Sequence, residues 1–262
     1  MIPLSIFLVF VFGTLIGSFL NVVIFRHHTN KPIANDRSVC LSCSKKLSWF
    51  ELLPIISFLI QKGRCRGCHS TFSWQYPLIE FFTGLVFVAV FLKDLSVGDT
   101  FYFLCVFSLL IVILGYDFRH KIIPDDLVYT FILVSLGYLL ISQNFQTIDL
   151  LAGPALAIPF AFLWFISQGR WIGFGDAKLV LGIGWFLGMS YGLSAIVIAF
   201  WIGALVGVTL IFLSKITKIL PIGRKINLKS EIPFAPFLIL GIFIAFVWEV
   251  SFWDLSTWFV LV

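Results

Sequence analysis

Charge is what this sequence has least of. Only 12% of its 262 residues are Asp, Glu, Lys or Arg, against 60% hydrophobic and 18% aromatic; soluble domains carry roughly twice that share of charge. The scarcity excludes a soluble globular domain and marks a polytopic membrane protein. A cleavable signal peptide is missing too: no basic run precedes the first apolar stretch, and no small-residue cleavage site follows it. The four His residues fall at no metal-ligand spacing, and no Ser or Cys nucleophile stands in a triad-like setting. Neither an internal repeat nor a low-complexity tract stands out.

What is there is apolar and segmented. Hydrophobic spans cover about 4–25, 78–93, 100–116, 127–142, 148–167, 178–192, 193–214 and 234–262, some shorter than the ~20 residues of a full crossing. The expected fold is therefore an all-α polytopic membrane protein with about eight transmembrane helices. Gly188, Ser190 and Gly192 place a tight turn near Met189–Gly192, and Glu249 and Asp254 in the overlong last span suggest that its tail leaves the bilayer. Arg26, His27 and His28 follow the first span, so its N-terminus is expected outside. Alternation then gathers the Lys and Arg residues on the side of 26–77, 117–126, 168–177 and 215–233, with Lys178 at its rim and Lys93 alone opposite. By the positive-inside rule that side is the cytoplasm. The net charge of +5 thus reflects topology and attraction to anionic membrane lipids, and does not indicate nucleic-acid binding.

Two carboxylates stand at the ends of apolar spans, just inside basic loops. Asp176 lies in Gly173-Phe174-Gly175-Asp176-Ala177-Lys178-Leu179, and Asp117 in Gly115-Tyr116-Asp117-Phe118-Arg119. An ionisable residue so close to lipid is a functional candidate by default. Gly173 and Gly175 permit a sharp turn or close approach to a substrate chain. Asp176 begins a span, where the helix dipole favours an anion; Asp117 ends one, where the dipole disfavours it. If the two meet, they share a proton and titrate as a unit. One can then activate water while the other protonates a carbonyl, as in aspartic-protease chemistry. Asp125, after Pro124, has the structural role of an N-cap, with Asp126 in the first turn.

Residues 27–77 form the one sizeable polar segment. It holds Cys40-Leu41-Ser42-Cys43 and Cys65-Arg66-Gly67-Cys68. Each pair presents two thiolates on one side of a tight turn, and two pairs complete a tetrahedral site for structural zinc. An iron–sulfur cluster or a redox pair would use the same residues, whereas a structural disulfide is disfavoured in a reducing cytoplasm. The segment is too small for a large core, so metal would supply much of its folding energy. Trp49, Phe50, Leu52, Leu53, Ile55, Ile56, Phe58 and Leu59 are too apolar for a free loop and are expected on the membrane surface or against the helices. Cys105 reads as inert packing. Asn21, near the end of the first span, needs a hydrogen-bond partner whether its role is packing or function. Glu80 is either a dipole partner in the first turn of its helix or a functional group. The basic loop 215–233 suits lipid headgroups, and Pro233-Phe234-Ala235-Pro236-Phe237 fixes how the last span starts.

In order, the chain presents Gly17-Ser18-Phe19-Leu20-Asn21-Val22-Val23-Ile24, the two Cys pairs, Asp117 with Ile123-Pro124-Asp125, Gly173 to Leu179, and Ile232 to Phe237. Over nearly its whole length this set resembles the prepilin peptidase (type IV leader peptidase) family, intramembrane aspartic proteases of the Gly-x-Gly-Asp type. The resemblance implies a bifunctional enzyme of the bacterial inner membrane. It would cut the short basic leader from type IV prepilins and pseudopilins at the cytoplasmic face, after a glycine and usually before a phenylalanine. It would then N-methylate the new terminus with S-adenosylmethionine. Carried over residue by residue, Asp117 and Asp176 are the catalytic pair; Gly173, Gly175 and Lys178 belong to the extended motif; Cys40, Cys43, Cys65 and Cys68 hold zinc. Cys40-Leu41-Ser42-Cys43 lacks the proline common within the first pair, and His27-His28 replaces a frequent Leu-Pro. No residue signature marks the methyl-donor site. The implied organisation is a first transmembrane helix (1–26), a cytoplasmic zinc-binding domain (27–77) and a transmembrane peptidase domain (78–262). A peptidase without methyltransferase activity, a proton-coupled transporter and a zinc-dependent adaptor are the alternatives. Both acids sit toward one membrane face, unlike a transporter's midplane groups, and an adaptor would need no acid pair.

Overall fold

The computed structural model describes residues 2–29, 32, 38–142, 146–216 and 233–253. Most of the basic loop 217–232, with Lys218, Arg224, Lys225 and Lys229, and the tail from Asp254 lie outside the described residues. The described chain is helical, with two isolated antiparallel bridges and no longer strand. Its helices are α1 (Ile2–Arg26), the short α2 (Ile56–Ile60), α3 (Gln75–Phe91), α4 (Val97–His120), α5 (Asp125–Ile141), α6 (Ala152–Ser167), α7 (Phe174–Ile216) and α8 (Ala235–Trp248). Two 3-10 turns, Trp49–Glu51 and Thr147–Leu151, complete the set. Four stretches are long and apolar enough to cross a membrane: Pro3–Arg26, Val97–His120, Thr147–Ser167 and Phe174–Phe212. Gln75–Phe91 and Ala235–Trp248 are apolar but shorter.

The chain divides into two compact units, Met1–Tyr116 and Asp117–Val262. In the first, α1 lies against α3. Gly13 and Gly17, one helical turn apart, make the approach possible. A Cβ on Gly13 would sit 2.8 Å from the Gly84 Cα, and one on Gly17 would sit 2.8 Å from the Glu80 Cα. Small residues at this spacing let helix backbones meet where no hydrophobic effect drives them together.

In the second unit α7 packs against α5, α6 and α8. Its buried Leu179, Val180, Ile183, Ala195 and Ala199 meet a core that includes Val128, Phe131, Leu238 and Ile242. Trp185 donates its indole N–H to the Leu150 carbonyl at 2.9 Å, fixing the turn before α6. The break between the two halves of α7 falls at Gly188 (φ 75°, ψ −179°), the first of the small residues expected to turn the chain near Met189–Gly192. That backbone state is open essentially to glycine alone, so the conformation of one residue, not a polar interval, divides an otherwise continuous apolar run. The helix ends also move. Asp117 is not the last residue of its helix, because α4 continues to His120.

Gly17→Leu is expected to force α1 away from α3 and destabilise the protein by about 1–3 kcal/mol, as overpacking of a close contact does. Thermal unfolding in detergent, compared with wild type, checks this.

Candidate functional site

The two predicted carboxylates lie in the same unit. Asp117 is in the last turn of α4, whose end is closed by the Lys121 N–H donating to the Asp117 carbonyl at 2.7 Å. Asp176 is in the first turn of α7, and the Gly173 backbone hydrogen-bonds its carboxylate. Both are buried, 3% and 7% exposed. Asp117 Oδ2 has no hydrogen-bond partner among the described residues. A buried polar atom left so is expensive unless water, an ion or a bound molecule completes it.

The turn before α7 is held onto the turn before α5. Ile123 crowds Gly175, where a Cβ would come 3.0 Å from the Ile123 Cβ and displace it by a few tenths of an ångström. Lys178 donates to Asp125 Oδ1 at 2.7 Å, and its ammonium lies 5.0 Å from the Tyr129 ring centre and 5.1 Å from that of Phe174. Asp125 therefore differs from its sequence expectation: Pro124 is the N-cap, and the Asp125 side chain binds Lys178 instead of capping its own helix. No local pattern could disclose an ion pair between residues 53 apart.

The four predicted cysteine ligands also come together. Their sulfurs all lie within 4.8 Å of one another, with Cys40 to Cys68 at 3.8 Å and Cys43 to Cys65 at 4.0 Å. No disulfide joins them. A tetrahedral ion with metal–sulfur bonds of about 2.3 Å needs sulfurs about 3.8 Å apart, so the donor set could hold a metal ion. The two hairpins are built alike. Bridges close Val39 on Lys46 and Arg64 on Thr71; Cys40 N–H donates to Lys45 and Cys65 N–H to Ser70, each at 2.9 Å. Ser44 and His69 then both take φ 57°. The shared Cys-x-x-Cys spacing announces both turns in the sequence, whereas the matching bridges that close them appear only in the structure.

Ser70, which no spacing rule singles out, lies 3.1 Å from the Cys68 sulfur and 3.6 Å from that of Cys40. Its hydroxyl, with backbone N–H groups, pulls the Cys40 thiol down to about 6. Cys43 goes the other way. The Lys45 backbone favours its thiolate, but the Cys68 sulfur, burial, and the Cys40 and Cys65 sulfurs push it up to about 11. Four crowded sulfurs cannot all ionise until a cation replaces their protons. Nearby, Glu51 is held below the usual carboxylate range by the Ser48 N–H and then by Lys45, whose ammonium is 3.1 Å away.

The conspicuous polar groups of α1 and α3 are tied to each other. Asn21 donates to the Tyr76 carbonyl at 3.1 Å. Glu80 is not in the first turn of its helix but its sixth residue, buried, and accepts the Ile55 N–H at 2.7 Å and a bond from Ser18. It thereby anchors the cysteine-bearing segment to the α1–α3 pair at Ile55, a β-branched residue held at φ 60°. Cys105 stands apart from the cysteine cluster.

Residues 11–93 match the family model described as Bacterial Peptidase A24 N-terminal domain, and residues 104–208 match that of the Type IV leader peptidase family. Among curated relatives named prepilin leader peptidase/N-methyltransferase, that of Bacillus subtilis is 31% identical over 92% of this chain and 93% of its own length. The Myxococcus xanthus protein is 34% identical over 80% of this chain, which spans 64% of that relative. The Aeromonas salmonicida protein is 28% identical, covering 95% and 94%. No solved structure matches.

Two outcomes are expected at the cysteine cluster. Ser70→Ala should weaken metal retention roughly 10- to 100-fold, measured by competition with a chelator. In metal-free protein, stability should rise from about pH 6 to 9, where the unfolded chain still holds the Cys40 proton that the folded chain has shed. It should fall again from 9 towards 11, because folded Cys43 keeps a proton that the unfolded thiol gives up. Unfolding midpoints across that range, flattened on adding metal, test it.

Proposed function

The chain belongs to the type IV leader peptidase family, and from that premise we propose that it cleaves prepilin leaders with Asp117 and Asp176 as the acid–base pair. Its substrates are type IV prepilins or pseudopilins, cut at the cytoplasmic face of the bacterial inner membrane. The observation that supports the assignment is that both carboxyl groups are buried within one compact unit, Asp117 with an oxygen left for a further partner.

Two such groups hold one proton between them more readily than none. The ionised member takes a proton from water as the water oxygen attacks the scissile carbonyl carbon. The protonated member gives its proton to the carbonyl oxygen, forming a gem-diol. Collapse then breaks the C–N bond, with a proton passing to the leaving amine nitrogen. Gly173 orients the Asp176 carboxylate, and Gly175, by its lack of a side chain, lets that turn seat on Ile123. Lys178 holds the start of α7 to the start of α5 through Asp125.

Zinc is the metal that suits a closed four-sulfur site, with Cys40, Cys43, Cys65 and Cys68 as ligands and a structural role in cross-linking the two hairpins. N-methylation with S-adenosylmethionine rests on family membership; no set of described residues identifies a donor site. The organisation that fits is a first transmembrane helix (1–26), a zinc-binding segment (27–77) and a peptidase domain (78–262). Its proposed topology has about eight crossings with the N-terminus outside. The two halves of α7 count as separate crossings on this scheme, and α3, α5 and α8 as short ones.

Asp117→Asn and Asp176→Asn should each lower cleavage of a purified prepilin by about 10²–10⁴-fold or more while leaving the protein folded. Asp125→Asn should cost far less, because its partner pair is largely exposed on the Asp side and weak. Full cleavage by either active-site variant would refute the pair.

A further inference from the structure

Trp74 stands one residue before α3 and is exposed. Leu78, Phe81, Phe82 and Leu85 continue from it at helical spacing, all exposed. On an apolar helix of a membrane protein such a stripe faces acyl chains, and a Trp at its end sits where interfacial anchors sit. The Trp74 ring packs on Phe58 of α2, centroids 4.9 Å apart. α2 in turn exposes Ile56, Leu59 and Ile60 on one face. The apolar stripe thus passes from α3 onto the cysteine-bearing segment, and a lipid surface is the medium that would cover both.

At this corner a cleft of about 490 Å³ opens, lined by apolar Phe58, Leu59, Phe72 and Trp74 together with the cations Lys62 and Arg64. Neither cation has a carboxylate partner among the described residues. The one acid of residues 38–74, Glu51, is engaged by Lys45, while Lys46, Lys62, Arg64 and Arg66 add further positive charge. Two cations above an aromatic and aliphatic wall match an amphiphilic anion, with its phosphate at Lys62 and Arg64 and its acyl chain along Leu59 and Trp74. They oppose a basic leader peptide, which like charge would repel. We propose that this cleft binds the headgroup of an anionic phospholipid and so seats the cysteine-bearing segment on the membrane surface.

The test uses full-length protein in nanodiscs of neutral phosphatidylcholine into which brominated phosphatidylglycerol is titrated. Bromine quenches nearby Trp fluorescence, and Trp74→Phe isolates one of the nine Trp residues. A saturable quenching component absent from Trp74→Phe is expected with phosphatidylglycerol and not with brominated phosphatidylcholine. Lys62→Gln with Arg64→Gln should shift its midpoint by roughly tenfold or more, with unchanged thiol reactivity at the four cysteines showing that the segment stays folded. Lys62→Arg with Arg64→Lys keeps both charges and should bind as wild type. Equal quenching by the two lipids, or an unshifted midpoint in the Gln pair, overturns the site. Loss of binding in the charge-preserving pair, or displacement of the lipid by excess free glycerol phosphate, also overturns it.

Discussion

A carboxyl group removed from water must find donors, share a proton or surrender its charge. The start of α7 and the end of α4 are arranged around that constraint. The Gly173 backbone serves Asp176 and the helix dipole adds to it, whereas Asp117 sits at the unfavourable end of its helix with one oxygen unserved. In the proposed mechanism this asymmetry would give the pair a direction, with Asp176 held by the protein and Asp117 left for the entering group. The Ile123–Gly175 contact, with at most a small contribution from the exposed Lys178–Asp125 pair, sets where the turn that carries Asp176 lies. In acid–base chemistry a displacement of about 1 Å can cost a hundredfold in rate.

The other unit solves a related problem with different means. α1 and α3 approach through Gly13, Gly17 and Gly84. Polar groups at that interface are bonded there, the Asn21 amide N–H to the Tyr76 carbonyl and Glu80 to Ser18 of α1 and to the Ile55 N–H of the intervening segment, while the Asn21 Oδ1 has no partner among the described residues. Glu80 thus connects the apolar helix pair to the small segment that follows α1. That segment cannot rely on a large core: its apolar residues Trp49, Ile56, Leu59 and Ile60 are exposed. Order comes from its two similar hairpins, whose backbone bonds aim four sulfurs at one point.

Taken alone, the sequence was enough to set the helical membrane class, the family and the candidate residues. The physical reason is that those features are local. A long apolar run with few charges can satisfy its backbone in lipid only as a helix, and two cysteines separated by two residues face one way across any tight turn. Tertiary structure decided what depends on pairs distant along the chain. Asp125 could be taken for a cap because capping is local, yet its partner is Lys178. Hydropathy rises at residue 78, which makes Glu80 look like a first-turn residue, whereas the helix starts at Gln75 and Glu80 is its sixth residue. The break in α7 sits at Gly188 because hydropathy does not sense φ. Ser70 became visible only when two hairpins 25 residues apart closed on each other. Sequence pattern records which groups a segment must bury or expose; which groups then meet is set by how closely the helices can approach, and a few glycines without side chains determine that.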